Sequence, residues 1–85
     1  MTTITYTITD ELGIHARPAG KIVKLAKEFD GDVQIGTPDK MVDCKRLMGV
    51  MSLALKQGDT LLMKFDGYGE QEVADRILAF LQQEL

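Results

Sequence analysis

Residues 13–19 decide the fold, and they read Gly13-Ile14-His15-Ala16-Arg17-Pro18-Ala19. Pro18 has no backbone N–H and is tolerated in the first turn of a helix, where donors have no intrahelical partner. It therefore predicts that a helix begins just after His15. Apolar residues then recur at helical spacing, at Ala19, Ile22, Val23 and Ala26. We predict a helix over about residues 16–28, with His15 at or near its N-cap.

The segments outside this helix include several with the period of two that is typical of strands. Ile4, Tyr6 and Ile8 alternate with threonines. Near the other end of the chain, Leu61, Met63 and Phe65 alternate with Leu62 and Lys64. Such alternation predicts strands at about residues 2–9, 33–35, 41–44 and 60–66. The second and third of these strands pair as a hairpin across Thr37-Pro38-Asp39.

The last segment has the apolar spacing of a helix that runs to the C-terminus. Its apolar face consists of Val73, Ala74, Ile77, Leu78 and Leu81. A short helix lies in the uncharged stretch 47–55. The order βαββαβα predicts an α+β domain over residues 1–85, with its helices on one face of a mainly antiparallel sheet.

Composition excludes several classes of protein. The chain has 85 residues with ten basic and thirteen acidic side chains, a formal net charge of −3, so it has no overall field that would attract nucleic acid. The uncharged stretch 47–55 is about half of the roughly 20 residues that a membrane span requires. A single cysteine, Cys44, forms no intramolecular disulfide, which favours a reducing compartment. We therefore expect a cytoplasmic protein without direct membrane contact.

The chemistry is concentrated at the start of the first predicted helix. The backbone N–H groups of Ala16 and Arg17 point out of the helix beside His15, and with the positive helix end they form an anion site. The Arg17 guanidinium adds a fork suited to phosphate oxygens. The same positive end favours a neutral imidazole whose lone pair can attack a phosphoryl group. On residue types alone, the alternative is that His15 is only a helix cap or a loop residue.

At this point the sequence resembles the histidine-containing phosphocarrier family, HPr, of the phosphoenolpyruvate-dependent sugar phosphotransferase system. The resemblance covers the whole chain and is carried by two blocks, Gly13–Ala19 and Leu47-Met48-Gly49-Val50-Met51-Ser52-Leu53. It implies an open-faced β-sandwich of four antiparallel strands with three helices on one face. It also implies that His15 accepts a phosphoryl group through Nδ1 from enzyme I and passes it to enzyme IIA, while Arg17 stabilises and orients the phosphate. The family carries phosphate without being an enzyme and needs no cofactor.

The second block also predicts a surface for docking partner proteins. Exposed apolar residues near a reactive site usually mark a contact, and methionine adapts to different partners. Val50 and Leu53 are expected to face inward, although each methionine has a core role as its alternative. Basic residues of the first helix would meet acidic partner surfaces. The predicted docking residues are Gly20, Lys24, Lys27, Leu47, Met48 and Met51.

Several features depart from the family or are open to other interpretations. Arg46 stands where many members from Gram-positive bacteria carry a serine that a kinase phosphorylates, and Leu12 replaces a small polar residue near the histidine. Cys44 is expected to be a buried strand residue rather than a nucleophile, and one His and one Cys far apart do not predict a metal site. The carboxylate pair Asp10-Glu11 is expected to lie in a loop near His15 and could tune it, although a solvated face is the favoured interpretation of this pair.

Other functions use the same motif. A regulatory paralogue would dock on partners without carrying phosphate, and a nitrogen-related or dihydroxyacetone-related phosphotransferase chain would use the same histidine. A small α+β enzyme is disfavoured because no acid, base and substrate pocket can be assembled around one histidine. We expect a monomer, with enzyme I and enzyme IIA as partners.

Overall fold

The computed structural model describes residues 1–85. Its elements are β1 (Thr2–Thr7), α1 (Ala16–Lys27), β2 (Asp32–Thr37), β3 (Lys40–Asp43), α2 (Leu47–Ser52), β4 (Thr60–Asp66) and α3 (Glu70–Glu84). This order is the predicted βαββαβα. None of the three helices combines the length and the apolar composition that crossing a membrane requires.

The four strands form one antiparallel sheet in the order β1-β4-β2-β3. β4 lies in the interior of the sheet, and its alternate residues Leu61, Met63 and Phe65 are fully buried. The helices contribute Ile22 of α1 and Ile77 of α3 to the same core. The sheet therefore has one face covered by helices, which confirms the predicted open-faced sandwich.

The boundaries differ from the sequence prediction where tertiary hydrogen bonds interrupt a local pattern. β1 ends at Thr7 rather than at residue 9, because the Ile8 carbonyl oxygen accepts the Gly58 N–H at 2.8 Å and so departs from the β1–β4 register. The N–H groups of Thr9 and Asp10 donate to a backbone oxygen of Leu85 at 2.6 and 2.9 Å. The loop that precedes His15 is therefore tied to the end of α3.

The hairpin around Pro38-Asp39 forms as predicted, with Thr37 opposite Lys40. Its second strand ends at Asp43, so the prediction that Cys44 lies on the strand is wrong by one residue. Cys44 is nevertheless fully buried, and its N–H donates to the Val33 carbonyl oxygen at 2.9 Å. This hydrogen bond holds the turn that leads into α2 against β2.

Candidate functional site

His15 is the N-cap residue of α1, as predicted. Its backbone is extended, with φ −115° and ψ −175°, and its carbonyl oxygen accepts the first helical hydrogen bond from the Ala19 N–H at 3.0 Å. The imidazole makes no capping hydrogen bond and is partly exposed. The fold therefore orients the backbone of His15 and leaves both ring nitrogens without a partner in the protein.

Two backbone donors stand free beside this ring. The N–H groups of Ala16 and Arg17 have no acceptor in the protein, and Pro18 has no N–H to offer. The Arg17 guanidinium is exposed and has no carboxylate within 4 Å. Together with the positive end of α1, these groups form a set of donors without acceptors in which a phosphate could bind.

The ring and the Arg17 side chain line one open cleft of about 560 Å³ between the start of α1 and the end of α3. Its lining residues are Asp10, His15, Arg17, Pro18, Lys21, Phe80, Gln83 and Glu84. The sequence predicts Asp10 near His15, but Lys21 belongs to neither of the two sequence blocks, although it follows Arg17 by one helical turn. The residues from α3 have no sequence signal, because only the packing of α3 against α1 brings them to the cleft.

A tight turn over residues 10–13 positions the start of α1. Gly13 has φ +65° and its N–H donates to the Asp10 carbonyl oxygen at 3.0 Å, while the Asp10 carboxylate accepts the Leu12 N–H at 2.9 Å. The next N–H, of Ile14, donates to the Leu55 carbonyl oxygen at 3.0 Å. The start of α1 is thus attached to the chain that leaves α2, which brings the two sequence blocks together.

The predicted docking residues lie on α1 and α2, which pack against each other. Met48 is 79% exposed and Leu47 is 42% exposed, whereas Val50 is buried. Met51 is only partly exposed and packs against the core, as does Leu53. Met51 therefore exposes only part of its side chain, and its role in docking stays a prediction.

The predicted docking residues of α1 differ in their exposure. Lys24 and Lys27 are exposed and form no ion pair within 4 Å. Gly20 is partly buried, and a Cβ there would meet no atom within 4 Å, so the surface above it has room for a partner side chain. Leu12, in the turn before His15, is 72% exposed and provides no polar group to the ring. We refer to Gly20, Lys24, Lys27, Leu47, Met48 and Met51 as the docking surface.

Two other residues singled out in the sequence lie outside the cleft. Burial raises the pKa of the Cys44 thiol to about 12, with a smaller contribution from the Asp43 carboxylate, so the thiolate nucleophile does not form near neutral pH. Arg46 is the N-cap of α2 and its exposed Nε lies 3.8 Å from the Asp43 carboxylate. No three His, Cys, Asp or Glu side chains come together in a way that could hold a metal ion.

Comparison with known proteins gives consistent results. The family model described as PTS HPr component phosphorylation site matches residues 2–83. The phosphocarrier protein HPr of Lysinibacillus sphaericus is 36% identical over 98% of this chain and 94% of its own length. HPr of Cupriavidus necator is 41% identical over 88% of this chain and 84% of its own length. The crystal structure of HPr-C-His from Thermoanaerobacter tengcongensis has a TM-score of 0.91 at 30% identity, and covers 98% of this chain and 93% of that one.

Some of the structural neighbours are dimers. The crystal structure of an HPr dimer from Thermoanaerobacter tengcongensis has a TM-score of 0.77 at 30% identity, and covers 99% of this chain and 97% of that one. The expected monomeric state is therefore not a property common to all similar structures.

Proposed function

This chain belongs to the HPr family of phosphocarrier proteins of the phosphotransferase system, and from that premise we propose that His15 carries the phosphoryl group from enzyme I to enzyme IIA. HPr proteins are carriers rather than enzymes. The observation that supports this assignment is the partly exposed His15 ring without a hydrogen bond, next to two free backbone N–H groups and an unpaired Arg17.

The proposed step is a displacement at phosphorus. The lone pair of His15 Nδ1 forms the new N–P bond while the bond between phosphorus and the donor group on enzyme I breaks, and that donor keeps the bonding electron pair. The phosphoryl oxygens are then held by the N–H groups of Ala16 and Arg17 and by the Arg17 guanidinium. In the second transfer, an acceptor group on enzyme IIA attacks the phosphorus, the N–P bond breaks, and His15 Nδ1 keeps the bonding electron pair.

The docking surface supports a carrier that must bind two partners in turn. Leu47 and Met48 provide exposed apolar contacts, and Lys24 and Lys27 are cations free to meet acidic partner surfaces.

We place the carrier in the cytoplasm, with residues 1–85 acting as one unit and as a monomer, and with neither nucleic acid nor membrane as a partner. Light scattering at micromolar concentration tests the monomer, and a stable dimer mass would overturn it.

The decisive experiment is incubation with phosphoenolpyruvate and enzyme I, followed by intact mass measurement. We expect one added phosphoryl group that is labile in acid, stable in base and located on His15 in the digested protein. Addition of enzyme IIA should remove it. If no phosphate is found while a known HPr is labelled under the same conditions, the carrier assignment is overturned in favour of a paralogue that acts by docking.

A further inference from the structure

A second basic side chain lies in the cleft of His15. Arg17 and Lys21 are four residues apart on α1, so their side chains lie on the same face of the helix, and both line the cleft. Lys24 and Lys27, further along α1, do not line it. Lys21 is therefore the lysine of this helix that shares a cavity with the imidazole.

Lys21 is also free to act. Its ammonium group makes no hydrogen bond and has no carboxylate within 4 Å, although Asp10 and Glu84 line the same cleft. One Asp10 carboxylate oxygen is occupied by the Leu12 N–H. The three donors of the Lys21 ammonium group are therefore available to an incoming anion.

The charges of the cleft show why one cation would be too few. Before phosphorylation, Arg17 and Lys21 balance the formal charges of Asp10 and Glu84. A phosphoryl group adds roughly −1.5 to −2 charges. Without Lys21, one guanidinium would face two carboxylates as well as the phosphoryl group.

We propose that Lys21 is a positioning residue that, with Arg17, holds and neutralises the phosphoryl group on His15. This inference rests on the proposed function. A cation near a phosphoryl group favours its dianionic form and stabilises the phosphorylated protein relative to the free one. Because Lys21 is exposed, we expect its effect on the equilibrium to be roughly two- to fivefold.

The test compares Lys21→Gln, Lys21→Arg and wild type after phosphorylation with enzyme I and phosphoenolpyruvate. Lys40→Gln, in the β2–β3 hairpin, makes the same change in net charge at a residue that does not line the cleft. Phosphorus NMR titration gives the second pKa of the phosphoryl group. The phosphorylated fraction in mixtures of phosphoenolpyruvate and pyruvate gives the equilibrium.

We expect Lys21→Gln to raise that pKa and to lower the equilibrium ratio of phosphorylated to free protein about two- to fivefold, with a smaller effect at high salt. Lys21→Arg and Lys40→Gln should behave as wild type. Coincident titrations of Lys21→Gln and wild type, or an equal shift in Lys40→Gln, would overturn the role of Lys21 and leave the carrier function standing. Wild-type protein without any phosphohistidine would overturn both.

Discussion

Gly13 lies directly against the carbonyl oxygen of Leu55, and a Cβ on Gly13 would be only 2.4 Å from that oxygen. The same oxygen accepts the Ile14 N–H at 3.0 Å. Close approach of the two backbones, together with φ +65° at Gly13, makes glycine necessary at this position. The contact joins the segment that contains His15 to the chain that leaves α2.

The first prediction is therefore that Gly13→Ala is strongly destabilising. The added methyl group must displace the Leu55 carbonyl, and the alanine backbone must adopt a positive φ. Together these two costs should lower the free energy of unfolding by roughly 2–4 kcal/mol. Gly58→Ala is the matched control, because Gly58 has φ +92° and a Cβ added there would have no atom within 4 Å. Gly58→Ala should lower the free energy of unfolding only by the cost of the backbone strain, about 1–2 kcal/mol. Equal losses in urea unfolding would refute the steric argument.

Local patterns predicted much of this molecule, and packing determined the rest. Pro18 and the apolar spacing after it are enough to place the start of α1, since both act within one turn. The cleft could not be predicted, because Glu84 lines the same cleft as His15 only through the packing of α3 on α1. The sequence left open whether Met51 is exposed or packs in the core, because that depends on how α2 packs on the rest of the domain.

The second prediction separates the reactivity of His15 from its structural position. The His15 side chain makes no capping hydrogen bond, so His15→Ala should abolish phosphoryl acceptance and change the free energy of unfolding by less than about 1 kcal/mol. His15→Asn should also accept no phosphate, yet be as stable as wild type or more so, because asparagine is a good N-cap residue. Intact mass and thermal unfolding measure the two properties. Unfolding of both variants would show that the ring is structural.

The third prediction concerns the exposed Met48. An aspartate there should leave stability within about 0.5 kcal/mol of wild type, because the side chain is 79% exposed. It should lower kcat/KM for transfer from enzyme I about tenfold, as expected for loss of an apolar contact worth about 1.4 kcal/mol. The effect should fall on KM.

Tyr68→Asp is the control for that variant. Tyr68 is fully exposed and lies by the C-terminal end of α1, roughly 18 Å along a 12-residue helix from His15. Its transfer kinetics should match those of wild type. Wild-type kinetics in Met48→Asp, or an equal loss in Tyr68→Asp, would remove Met48 from the docking surface.

The fourth prediction is a dependence of stability on pH through Glu70. A hydrogen bond from Thr2 Oγ1 at 2.6 Å is the largest influence that lowers the pKa of this carboxyl below its ordinary value of 4.5. Because the folded pKa is below the unfolded one, the ionised carboxylate stabilises the fold above pH 4.5. That contribution is lost as pH falls from 4.5 through the folded pKa.

Glu70→Gln should therefore be less stable than wild type at pH 7, and the difference should shrink steadily as acid is added below pH 4.5. Urea unfolding at a series of pH values measures it. Glu72→Gln is the control, since Glu72 lies in the same helical turn, is exposed and makes no side-chain hydrogen bond or ion pair. A constant difference between Glu70→Gln and wild type at every pH would contradict the linkage.

The fifth prediction concerns Ala54, which has φ +50° although it is not glycine. An alanine in this left-handed region is strained by about 1–2 kcal/mol, whereas glycine costs roughly 0.4–1 kcal/mol more entropy on folding. Ala54→Gly should therefore raise the free energy of unfolding by about 0.5 kcal/mol. Ala79→Gly, at an exposed position inside α3, should lower it by about 1 kcal/mol. Ala54→Gly should still accept phosphate, because glycine adopts the same positive φ and leaves the hydrogen bond between the Ile14 N–H and the Leu55 carbonyl oxygen in place. A loss of stability as large as that of Ala79→Gly would show that the backbone at residue 54 is unstrained.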